Sequence, residues 1–66
     1  MHNIPNEELW TCIKALGLGN RTNNELAELA KKHEPNQEKY FASAVIVKAC
    51  NQLMAFNKAV KSEWKL

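Results

Sequence analysis

Residues 36 to 66 contain neither glycine nor proline, and this unbroken stretch governs what the chain can become. Its apolar residues recur at steps of four and three: Ala42, Ile46, Ala49, Leu53, Phe56, Val60 and Trp64. That spacing lines one side of an α-helix and comes close to a heptad seam. Tyr40, Val47 and Met54 form a second strip on nearly the opposite side. The first half of this helix is therefore apolar almost all round, the pattern of a central, buried helix. It is expected over about 37–63, starting after Asn36 with Glu38 in its first turn, and at that length it spans about 40 Å.

Two shorter helices precede it. The first is expected over 6–16: Glu7 and Glu8 favour the positive end of the helix dipole, and Leu9, Cys12, Ile13 and Leu16 follow the spacing of one buried stripe. Trp10 sits beside that stripe, and Gly17 supplies a C-terminal stop. After the turn-rich segment Gly17-Leu18-Gly19-Asn20-Arg21 comes Thr22-Asn23-Asn24-Glu25. This is a capping box, in which the threonine hydroxyl accepts from the Glu25 N–H while the glutamate reaches back to the Thr22 N–H. The second helix is expected over 23–33, with Leu26, Leu29 and Ala30 on one face and Pro35 preventing its continuation.

The expected fold is thus all-α: one three-helix domain over 1–66, with two short helices and one long C-terminal helix. Each short helix spans about 16 Å, so a hairpin made of the two covers roughly half of the third. The seam through Phe56, Val60 and Trp64 is left open, and each such side chain forgoes about 1.5–3 kcal/mol while it stays exposed. A homodimer or a protein partner is therefore expected to cover Leu53, Phe56, Val60 and Trp64.

Size and composition narrow the function classes. A chain of 66 residues builds a thin core and benefits from a disulfide, a metal or a second copy. The two cysteines, Cys12 and Cys50, show no paired spacing and no nearby histidine pair, so neither a disulfide framework nor a zinc site is signalled. They suit a reducing compartment, as small buried apolar residues. No apolar run approaches the roughly 18 residues of a membrane span. The N-terminus lacks a basic region followed by an apolar stretch, so cytoplasmic localisation is expected. Catalysis finds little support. Cys12 and Cys50 have only His2 and His33 as conceivable bases, and the neighbouring carboxylates Glu7/Glu8 and Glu25/Glu28 are accounted for as first-turn residues. No catalytic residue, cofactor, metal or small-molecule substrate is expected.

The net charge of +2 is concentrated in the second half, because residues 34 to 66 carry five lysines against three glutamates. Lys58, Lys61 and Lys65 fall within about a 60° arc of the third helix, opposite the Phe56–Val60 seam. They make either a phosphate-contacting ridge or a solvated helix end that complements the dipole. A DNA-reading register also exists, with Gly17 as the turn glycine of a helix-turn-helix and the second helix as reader. Arg21, Asn23 and Asn24 then stand near its N-terminus, where arginine and asparagine make bidentate contacts to bases. Thr22 and the two asparagines are equally well explained as caps and turn-formers.

Tyr40-Phe41-Ala42-Ser43-Ala44, Phe56-Asn57-Lys58 and Ser62-Glu63-Trp64-Lys65 resemble segments of the Hha/YmoA group of small bacterial nucleoid-associated modulators. That resemblance implies a small helical regulator acting through a nucleoid-structuring protein. Val45-Ile46-Val47-Lys48 stands where that group has an Asp-His-Arg run, so no residue role carries over. The expected function is a non-enzymatic regulatory module that binds a protein partner or itself through its long helix, in transcription or nucleoid regulation. The alternative is a small helix-turn-helix-like DNA-binding regulator using Arg21, Asn23, Asn24, Lys58, Lys61 and Lys65.

Overall fold

Pro5, in an extended conformation, stands before α1 (Asn6–Leu16), and its carbonyl accepts the Glu8 N–H at 3.1 Å. Proline has no N–H to leave unsatisfied at such a position, while Glu7 and Glu8 offset the exposed donors of the first turn. Gly17 ends α1 at φ 62°, a left-handed conformation that costs other residues more than glycine. A single 3-10 turn, Leu18–Asn20, then leads to α2 (Asn23–His33). The capping box at the start of α2 is complete. The Glu25 N–H donates to Thr22 Oγ1 at 3.2 Å, and the Thr22 N–H donates to Glu25 Oε1 at 3.0 Å. A second 3-10 turn, Glu34–Asn36, leads towards α3 (Phe41–Trp64). This computed structural model describes residues 3–64, with side chains as far as Ala59.

The three helices are those the sequence predicts, two short and one long, and the described residues contain no strand. α2 packs along α3 most extensively and α1 packs along it as well, with little backbone contact between α1 and α2. Both short helices lie on α3, and Leu9 of α1, Leu18 of the connecting turn and Leu26 of α2 meet in one core against it. The Asn57 side chain donates to Asn23 at 2.8 Å. This joins the start of α2 to the later part of α3, so α2 runs back along it.

The start of α3 also differs from expectation. Residues 37–39 are hydrogen-bonded turn, with both the Lys39 and Tyr40 N–H groups donating to the Asn36 carbonyl. The chain must reverse between α2 and α3, and these residues make the reversal. Tyr40 consequently stands outside the helix, exposed, with its carbonyl accepting the Ala44 N–H at 3.1 Å.

Leu9, Leu18, Leu26, Ala30, Val45, Ala49 and Cys50 form the buried core. On α3 the buried positions are Ser43, Val45, Val47, Ala49 and Cys50. At 100° per residue they spread over about 200° of the helix, as a central position requires. The predicted stripe is shifted: Ala49 is buried and Ile46 and Leu53 are half-buried, but Ala42 and Phe56 are exposed. Of the second predicted strip, Val47 is buried and Met54 half-buried, while Tyr40 is exposed. Leu16, predicted within the α1 stripe, is exposed at the end of its helix.

Candidate interaction groove

On α1, Leu9, Trp10 and Ile13 project from one face at the spacing that makes helical neighbours. Leu53 and Phe56 do the same on α3. Between the two helices lies an open groove of about 590 Å³, lined by these five side chains together with Gly19, Ala55 and the polar Asn6, Gln52 and Asn57. Leu9 is buried and Ile13 and Leu53 are half-buried, so the floor belongs to the core. The walls do not: Trp10 is 62% exposed and Phe56 63%. Two large aromatic side chains facing solvent across one apolar cleft are uncommon on a small domain, where exposed apolar residues are usually scattered.

The groove gathers Leu53 and Phe56, two of the four residues predicted to meet a partner. The side chains of the other two, Val60 and Trp64, lie outside the described residues. Trp10 is the residue that sequence reasoning missed as part of this site. Its signal was present, because a tryptophan three positions before Ile13 and one after Leu9 borders the buried stripe on its solvent side.

The candidate nucleic-acid residues fare unevenly. Asn23 is half-buried and bonded to Asn57, so its amide oxygen is committed within the fold. Arg21 lies 3.9 Å from Glu25, whose carboxyl is held below the usual range by the Thr22 backbone and side-chain hydrogen bonds and by the Arg21 charge. Asn24 and Lys58 are exposed; His2, Lys61 and Lys65 lie outside the residues whose side chains are described. The Asn23–Asn57 bond does bring the α2 N-terminus and Lys58 to the same end of the molecule. α1 and α2 make little backbone contact with each other and pack mainly on α3.

Both cysteines are free thiols. Burial pushes each thiol above its ordinary value. For Cys50, proximity to Cys12 adds to the rise and Arg21 opposes it. A thiol with a raised pKa is a poor nucleophile at neutral pH. Among the described residues no three His, Cys, Asp or Glu side chains are gathered for a metal ion, and no helix is long and apolar enough to cross a membrane. A second cleft, of about 560 Å³, lies between Ile4, the turn at Gln37 and Glu38, and the Lys48–Gln52 face of α3.

Comparison with protein-family models, with characterised proteins and with solved structures finds no match to this chain, so the Hha/YmoA likeness rests on the short segments that suggested it.

Proposed function

We propose that this chain is a non-enzymatic interaction module, regulatory in character, that binds a protein through the groove between α1 and the later half of α3. The observation that carries this is the pair of exposed aromatics, Trp10 and Phe56, facing each other across an apolar floor. Aromatic side chains bring large contact area at low entropic cost and are enriched among interface anchors. The groove is walled by two helices and open along its length, the form that accepts the apolar face of an amphipathic helix. A role in transcription or nucleoid control is supported only by the sequence resemblance.

A photo-reactive phenylalanine analogue at Ala55, which lines both this groove and the second cleft, tests this in cells when paired with a change at Phe56, which lines the groove and not the second cleft. Expected are discrete polypeptide adducts from position 55, none from exposed Ala27 on α2, and loss of the position-55 adducts on Phe56→Glu. Adducts from position 27 with none from 55 would move the binding surface elsewhere.

The DNA-binding alternative keeps one favourable observation, the shared location of the α2 N-terminus and Lys58. It predicts binding to duplex DNA that weakens steeply with salt and on Lys58/Lys61/Lys65→Ala. Salt-independent or undetectable binding at low ionic strength removes it.

A further inference from the structure

We draw no further inference here: the strongest candidate, the apolar groove between α1 and the later half of α3 walled by exposed Trp10 and Phe56, is an unpartnered face, and nothing in the structure shows what covers it.

Discussion

Thr22 and Glu25 show how much one pair of side chains can do at a helix start. Their reciprocal hydrogen bonds satisfy two backbone donors that the first turn of α2 otherwise leaves open. Thr22→Ala should cost about 1 kcal/mol, measured by urea denaturation. Because the folded-state pKa of Glu25 is depressed, its charged form contributes stability above the unfolded carboxylate pKa. That contribution is lost as pH falls through the lower, folded value. Wild type should therefore lose stability more steeply than Glu25→Gln below about pH 4.5, and the two should run in parallel near neutrality. At the same scale, the raised thiol pKa of Cys50 and its full burial predict very slow reaction with a thiol reagent at neutral pH. Half-buried Cys12 should react faster, and denaturant should bring the two rates together. A Cys50 that labels as fast as an unfolded peptide would contradict this core.

At the scale of elements, the short connection between α1 and α2 behaves as part of the core. Leu18, in a 3-10 turn that turn-former composition alone would call a surface loop, is as fully buried as Leu26. Leu18→Ala should then cost about 2–5 kcal/mol, the same range as Leu26→Ala, in urea or thermal unfolding. For a chain of this length that is a large share of the total stability, of the order of 3–10 kcal/mol. The α2–α3 pairing is registered at one end by the Asn23–Asn57 hydrogen bond. Asn57→Ala should cost about 0.5–1.5 kcal/mol, and a double-mutant cycle with Asn23→Ala should recover a coupling of similar size. Zero coupling would mean that the two side chains merely lie close.

For the whole molecule, the decisive fact is that α3 is longer than its cover. With 24 residues it spans about 36 Å, against about 16 Å for either short helix, and the molecule extends 43 Å along its longest axis. The buried core clusters where all three helices meet, and beyond it Phe56 stays exposed. If two copies cover one another there, the melting temperature should rise with protein concentration, because association stabilises only the folded chain. Phe56→Glu should abolish that dependence and leave the dilute-limit melting temperature almost unchanged, since an exposed side chain contributes little within one chain. Differential scanning calorimetry over a fifty-fold concentration range reads both effects.

The sequence alone determined the three helices, the stop at Gly17 and the capping box at Thr22, because these depend on backbone conformation and on partners three or four residues away. It also placed Phe56 outside the cover of its own domain, since that follows from helix lengths. It did not show which positions of α3 the two short helices would cover. It assigned Ala42 and Leu16 to buried stripes and began the long helix four residues early. Nor did it join Trp10 to Leu53 and Phe56, which are more than forty positions away along the chain. Periodicity tells which residues share a face of one helix; which face meets which helix is settled by packing three helices at once. The groove exists only at that level.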